Sequence, residues 1–372
     1  MSIYINAYCT VREPVPFHPT SPGGEATAVR SLEQGSPESQ DMYQHLKGFE
    51  GFATQQGTDR GQGYNGITHG VVQHIRAVKT QYVFDRPDNY SPTDLQEFAG
   101  WAEKTNPIFF MPDGTVRNAQ GRDLLDPATP LEAVPHPPEA YERMRRVRGD
   151  LWNRGFKVAP SLPPVTSERE AQVRPPEQIL NRAVTLAVVA TIAGKVLDGE
   201  PVDLQAIRAG STRTFENLTE PEQHFISRVE SLQGPEAVEY PQDVKDAAGQ
   251  LVWSMMAAEI MAWALGLVEM DTTTIQPADI PALRAGLRSV DREGRSASDL
   301  SLVELPELCD VWERTFSLRW YAVDQDIRQR NGQATEGAHL EPAQASALLE
   351  RHRALAWMLD PFTEYTEVDL ST

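Results

Sequence analysis

The sequence predicts an α+β protein, in which a small mixed α/β N-terminal domain is followed by a larger all-α irregular helical bundle. Residues 1–126 alternate between short runs of β-branched or aromatic residues and segments with helical spacing of apolar residues. Residues 127–175 are rich in proline, and from there on only helical patterns recur. We therefore predict a small α+β domain at 1–126, a Pro-rich linker with one short helix at 127–175, and an all-α domain at 176–372.

The N-terminal domain contains three segments that are typical of strands. They are "IYINAYCTV", "TQYVFD" and "PIFFMPDGTV", and the last includes a Pro-Asp-Gly turn between two strands. The segment "ITHGVVQHIRAV" has the apolar spacing of a helix. A second helix is predicted in "SPTDLQEFAGWAEKT", where Ser91 is the N-cap, Pro92 takes the first helical position and Asp94 lies in the first turn.

The short helix predicted in the linker, "EAYERMRRVRGDLWNRG", carries the concentrated basic patch of the chain. Three interpretations of its arginines stay open. They form a solvated helix face, or they bind the acidic body of the same protein, or they bind nucleic acid. Nucleic-acid binding is the least favoured of the three, because the negative charge of the whole chain opposes it.

The C-terminal domain is predicted to be helical throughout. Thr219 and Glu222 have the spacing of a capping box at the start of a helix. The stretch from Leu251 to Val268 is nearly all apolar and almost long enough to span a bilayer, but Glu259 in its middle is costly in lipid, so we predict a buried core helix. Further helices are predicted in "PEQILNRAVTLAVVATIAGKVL", in "PELCDVWERTFSLRWYAVDQDIRQRN", which ends at Gly332, and in "EPAQASALLERHRALAWML".

The chain is strongly acidic: its 372 residues include 53 Asp and Glu but only 34 Lys and Arg, which gives a formal net charge of −19. This charge opposes binding to nucleic acid and to anionic membranes, since both depend on Lys and Arg, and it steers cationic partners toward the surface. An acidic composition is also common in soluble bacterial proteins. Cys9 and Cys309 form no CxxC pair, which excludes a zinc ribbon and a disulfide framework. The first residues lack the pattern of a signal peptide, and we expect a cytoplasmic protein.

Signatures of known catalytic sites are weak or missing. "GQGYNG", Gly61 to Gly66, satisfies G-x-G-x-x-G and precedes a helix, but the run before it, "TQQGTDR", is polar and turn-like, so we interpret the glycines as a flexible loop. His69 and His74 are five residues apart and do not share a helix face. The sequence has no HExxH, EF-hand, Walker A or nucleophile-elbow motif. We expect neither a metal nor a cofactor.

Two helices place ionisable residues among apolar ones. Glu259 must meet a cation, take a raised pKa or line a wet cleft, because removing a carboxylate from water is costly. In "ERHRALAW", His352 lies on an apolar stripe with Leu348, Leu355 and Leu359, so it is predicted to point inward. Consecutive helical residues do not face one another, so Glu, Arg and His here cannot act as a local triplet.

These segments resemble a bacterial family, domain of unknown function 4272, over roughly residues 176–372. The resemblance rests on "RAVTLAVV", "LTEPEQHFI", "WALGLVE" and "ERHRALAWML", and it implies an all-α fold without an established activity. The chain departs from the family pattern where Met256 and Ala356 replace a Glu and an Asn, and the acidic, Trp-containing tail is softened to "TEYTEVDLST". If the family has a polar active site, these changes imply that part of it is lost. The retained Glu350, Arg351 and His352 favour a buried polar network that holds the last helix.

Two classes of function follow. The first is a non-enzymatic protein-binding module of the bacterial cytoplasm, with a cationic protein partner; an immunity-type protein that neutralises a basic toxin or effector is one form of it. The alternative is an enzyme of unrecognised type that uses a Glu/Arg/His cluster in a cleft between C-terminal helices. The candidate residues of this binding or structural polar cluster are Glu259, Trp263, Arg319, Trp320, Glu350, Arg351, His352 and Trp357.

Overall fold

The structure is a computed structural model that describes residues 2–19, 24–33, 36–60, 63, 65–232, 239–334 and 337–372. It confirms the predicted α+β class, with an antiparallel sheet near the N-terminus followed by many helices. The chain forms two compact units. The N-terminal unit comprises residues 1–146 and 159–171, and the C-terminal unit comprises residues 147–158 and 172–372.

The elements of the first part of the chain are, in order, β1 (Ser2–Cys9), β2 (Ala26–Ser31), α1 (Pro37–Asp59), α2 (Gly66–Ala77), β3 (Thr80–Pro87), a 3-10 helix (Pro92–Phe98), α3 (Ala99–Thr105), β4 (Pro107–Phe110), β5 (Val116–Arg117), a second 3-10 helix (Leu131–Ala133) and α4 (Pro138–Asn153).

The elements that follow are α5 (Pro176–Leu197), α6 (Leu204–Gly210), α7 (Thr212–Glu216), α8 (Glu220–Ser231), α9 (Gln242–Leu251), α10 (Ser254–Ala264), α11 (Ile280–Arg292), a 3-10 helix (Ala297–Asp299), α12 (Leu305–Arg330), α13 (Pro342–Leu359) and a last 3-10 helix (Tyr365–Glu367).

The strands in the described residues form a five-stranded sheet with the order β2-β3-β1-β4-β5, in which each neighbouring pair is antiparallel. Alternate residues of a strand point to opposite faces, so the sheet separates two cores. Ile5 and Ala7 of β1 pack with Phe98 on one face. Tyr8 packs on the other face, against buried residues of α1 and α2 such as Met42 and Ile75.

Two elements of this unit were not predicted, namely β2 and α1. Residues 54–59 of "TQQGTDR" belong to α1, so the interpretation of this run as turn-like is wrong. Three of the six residues of the predicted loop "GQGYNG", namely 61, 62 and 64, lie outside the described residues, and Gly66 is the first residue of α2. The helix predicted from Ser91 begins with the expected capping box, because Asp94 accepts a hydrogen bond from the Ser91 backbone. Its first half is a 3-10 helix, however, and regular α-helix starts only in α3.

The Pro-rich stretch at 127–175 contains the predicted helix, α4, and it carries both exposed and buried side chains. Buried side chains occur along its whole length, among them Val134, Leu151 and Ala171. The predicted domain boundaries and the linker therefore stay predictions.

The arginines of α4 bind carboxylates of the same chain. In the N-terminal unit Arg143 is 3% exposed and pairs with Glu168 at 2.8 Å. In the C-terminal unit Arg148 pairs with the fully buried Glu313, also at 2.8 Å. Of the three interpretations of the basic patch, binding to the protein's own acidic residues holds for these two side chains.

The apolar stretch from Leu251 to Val268 was predicted to be one buried helix, and this prediction is wrong in that the helix is interrupted. It comprises the end of α9, a break, and α10, whose side chains are all buried. The chain leaves α10 at Gly266, which has φ of 66°. Its N–H donates to the Trp263 carbonyl at 2.8 Å, and the next N–H donates to the Ala262 carbonyl at 2.9 Å. This is the hydrogen-bond pattern of a Schellman helix end, which favours glycine.

One helix in the described part of the chain, α5, is long and apolar enough to cross a membrane. In the fold, 67% of its most apolar 18-residue window is buried. A core helix of a soluble protein has the same length and composition, so these two properties alone do not distinguish the two cases.

Candidate functional site

The predicted polar residues of α13 lie in the second half of the helix, where most side chains are buried and a stripe of Leu349, Arg353 and Ala356 is half-buried. Leu348, Leu355 and His352 point into the core, as the apolar stripe predicts. Glu350 and Arg351 are buried as well, although the helical spacing turns them away from that stripe. Because the three side chains point in different directions from the helix axis, each must be satisfied by a different partner.

Arg351 pairs with Glu259, which is the first of the three alternatives predicted for that carboxylate. The Arg351 Nη2 lies 3.3 Å from Glu259 Oε2, and both side chains are less than a tenth exposed. The other oxygen, Glu259 Oε1, accepts the backbone N–H of Asp279 at 2.9 Å. Arg351 also donates to the Thr274 carbonyl at 3.1 Å and to the Gln276 carbonyl at 3.4 Å. The pair therefore holds the segment between α10 and α11 against α10 and α13.

Glu350 belongs to a second cluster. Arg353 Nη1 donates to both of its oxygens, at 2.9 and 3.1 Å. Close by, Arg182 of α5 binds both oxygens of Glu222, and its guanidinium lies 4.1 Å from the ring centroid of Tyr365. Burial raises the pKa of Glu350, and the positive charges of Arg353 and Arg182 oppose this shift. Two arginines and two glutamates thus lie together with a phenol.

His352 belongs to a third cluster, which is mainly aromatic. Its ring lies edge-on to Trp312, with a centroid separation of 4.8 Å, and 5.9 Å from Phe316. Its Nε2–H donates to the Asp369 carbonyl at 3.2 Å, while the buried Nδ1 has no hydrogen-bond partner among the described residues. Burial lowers the pKa of His352 to about 4, and the Arg319 guanidinium adds to the effect. The imidazole is therefore neutral at pH 7.

This neutral imidazole predicts a loss of stability in acid. The unfolded chain takes up a proton on His352 below about pH 6.5, whereas the folded chain does so only below about pH 4. Stability should therefore fall as the pH drops from 6.5 to 4, by about 3 kcal/mol from this residue. Urea unfolding of wild type and His352→Gln across this range isolates the contribution, because the variant should lose less stability on acidification. Parallel pH profiles would contradict the assignment.

The remaining residues of the predicted cluster, which are three tryptophans and Arg319, do not contact one common group. Trp357 stacks under Arg174, whose guanidinium carbon lies 4.1 Å from the ring centroid. Trp263 is buried at the end of α10, while Arg319 and Trp320 on α12 are half-buried. Arg319 interacts electrostatically with His352. The Glu259 carboxylate has Arg351 as its ion-pair partner.

The predicted cluster is thus divided into three centres. One joins Glu259 to Arg351, one surrounds Glu350, and one surrounds His352. A proton-transfer site requires its acid, base and anion-binding group to meet the same substrate atoms, and these three neighbours in sequence have different partners. Within the described ranges, no group of three or more His, Cys, Asp and Glu residues is placed to hold a metal ion.

Sequence reasoning missed a buried polar cluster in the N-terminal unit. Glu170 accepts hydrogen bonds from Thr10 Oγ1, from Asn106 Nδ2 at 3.3 Å, and from the Ser167 backbone at 2.8 Å. His74 Nε2 donates to the Tyr8 carbonyl at 3.2 Å, and Glu170 raises the pKa that burial lowers. Thr10 and Glu170 lie 160 positions apart in the chain, so no local spacing could have indicated the contact.

Comparison with known proteins decides the family of the C-terminal part. The family described as a domain of unknown function (DUF4272) matches residues 143–368, which is more than half of the chain. The chain belongs to the DUF4272 family. No curated protein and no solved structure matches it.

The DUF4272 match begins earlier than the predicted limit at residue 176. It includes most of α4, and therefore Arg148 with its buried partner Glu313. It also covers the helix end at Gly266 and the three centres on α13. The sheet and the helices that pack on it precede the matched region, so this part of the N-terminal unit is an addition to the DUF4272 domain in this chain.

Proposed function

We propose that this DUF4272 protein is a non-enzymatic binding protein of the bacterial cytoplasm, whose acidic surface binds a cationic protein. An immunity-type protein that neutralises a basic toxin or effector is the form of this function that fits the charge best. The proposal rests on where the charges lie. Four of the five buried carboxylates among the described residues, Glu222, Glu259, Glu313 and Glu350, are paired with arginines. The fifth, Glu170, is held by hydrogen bonds, so most of the excess negative charge lies at the surface.

Exposed carboxylates outside the ion pairs occur in both units. Examples in the described part of the chain are Glu38, Asp41, Glu216, Glu220, Glu304, Glu307, Glu364 and Glu367. Exposed charges contribute little to stability, but their summed field attracts an oppositely charged partner and accelerates association. The enzymatic alternative has less support, because Glu350, Arg351 and His352 serve separate internal contacts.

The proposal predicts a basic partner whose binding weakens with salt. The full-length protein is used to capture partners from its native organism, and the purified partner is then titrated with it. We expect the affinity to fall by about tenfold or more between about 0.03 M and about 0.3 M salt, since exposed charges are screened. Neutralising the eight exposed carboxylates named above to Gln or Asn should weaken binding similarly at low salt.

A matched control keeps the surface acidic. Arg208→Gln with Arg330→Gln removes two exposed cations and should leave binding equal or tighter. A captured partner that is neutral or acidic, or an affinity that does not change with salt, would contradict the proposed function.

A further inference from the structure

The N-terminal unit contains an open cleft of about 450 Å³. It lies between the loop that follows β5 and the segment that leads into α4. Pro130, Val134 and Pro135 supply apolar lining, and His136 and Tyr141 supply aromatic rings. A volume of this order suits a small molecule. The cleft lies before the residues that match the DUF4272 family.

His136 gives the cleft a neutral polar group. Its ring lies edge-on to Tyr141, with a centroid separation of 5.8 Å. Burial lowers the pKa of His136 to about 4; Glu170 opposes this shift, and His74 adds to it. A neutral imidazole offers one N–H donor and one acceptor nitrogen. Behind it, Glu170 is held by Thr10, so the charge that acts on His136 is fixed in place.

Two opposite charges border the same cleft without pairing. Arg122 and Glu132 are exposed lining residues, and neither takes part in an ion pair among the described residues. The loop that carries Arg122 is ordered by Asn118, whose Oδ1 accepts the Arg122 backbone N–H at 3.1 Å. A single guanidinium and a single carboxylate that face one cleft, yet do not neutralise each other, match a ligand that carries both charges.

We propose that this cleft binds a small zwitterion of the α-amino acid class. The ligand carboxylate binds Arg122, its ammonium group binds Glu132, and an apolar side chain lies on Pro130, Val134 and Pro135. His136 and Tyr141 supply further hydrogen bonds to the ligand. This binding is separate from the proposed recognition of a cationic protein, because it uses the inner lining of the cleft.

Free L-leucine is the probe that tests the assignment. We expect saturable binding of L-leucine by calorimetry, with NMR shifts confined to the cleft and including the His136 ring. N-acetyl-L-leucine lacks the ammonium group and L-leucinamide lacks the carboxylate, so each should bind about tenfold or more weakly.

Charge-removing variants assign each end of the ligand. Arg122→Gln should weaken L-leucine binding about tenfold and leave the weak binding of L-leucinamide unchanged. Glu132→Gln should weaken L-leucine binding similarly and leave that of N-acetyl-L-leucine unchanged. Arg288→Gln and Glu103→Gln, at exposed positions outside the cleft, should bind as wild type. No saturable binding of L-leucine, or binding that Arg122→Gln and Glu132→Gln leave intact, would overturn the proposal.

Discussion

Glu259→Ala should destabilise the protein by about 3 to 5 kcal/mol. The change leaves Arg351, which is 4% exposed, without its carboxylate. It also removes the acceptor of the Asp279 backbone N–H. A buried cation without a partner costs far more than the net contribution of the pair. Equilibrium unfolding in urea, compared with wild type at neutral pH, measures the loss.

The coupling of Glu259 to Arg351 is the sharper test. Glu259→Ala with Arg351→Ala should cost clearly less than the sum of the single changes, because each single change leaves the other charge unpaired. Glu259→Ala with His352→Ala is the matched control. Its effects should add, since His352 has other contacts. Additive effects in the first pair, or strong coupling in the second, would refute the division into three centres.

Arg182→Leu should also destabilise the protein by about 3 to 5 kcal/mol. Arg182 binds both oxygens of Glu222 and stacks on Tyr365, and Glu350 lies in the same cluster. Its loss leaves a buried carboxylate without its arginine. The stability of Arg182→Lys should lie between that of wild type and that of Arg182→Leu, because an ammonium group keeps the positive charge but cannot form the bidentate contact. Urea unfolding measures both variants.

An exposed ion pair provides the control for Arg182. Arg208 and Glu230 form a 2.9 Å pair in which each side chain is about half exposed, and Arg208→Ala should cost less than about 1 kcal/mol. A cost for Arg182→Leu as small as that of Arg208→Ala would show that the buried cluster adds no stability.

Glu222 shows which part of the site the sequence could predict. Its spacing from Thr219 predicted a capping box, and the structure confirms it, with the Thr219 N–H donating to Glu222 at 2.8 Å. The same carboxylate binds Arg182, 40 positions earlier in the chain. Local spacing determines the first contact, whereas the second depends on how α5 and α8 pack, which one sequence does not reveal.

The same distinction holds for Glu259 and for the fold. Burial of a lone carboxylate predicted a cationic partner, a raised pKa or a wet cleft, and these alternatives followed from elementary electrostatics. The choice of Arg351 depended on tertiary packing. Most helices and the central strands followed from apolar periodicity, whereas β2 has mainly exposed side chains and gave no such signal. The polar run at the end of α1 was interpreted as turn-like, and α1 itself was not predicted.

The three centres on α13 also fix the rotation of this helix about its own axis. A shift of the chain by one residue turns a helix by about 100°. Such a shift would carry Arg351 away from Glu259 on α10 and His352 away from Trp312 on α12 in one step. It would also turn Glu350 away from the charge of Arg182 on α5. The last helix therefore has a single permitted register, and it should open only when the surrounding helices separate.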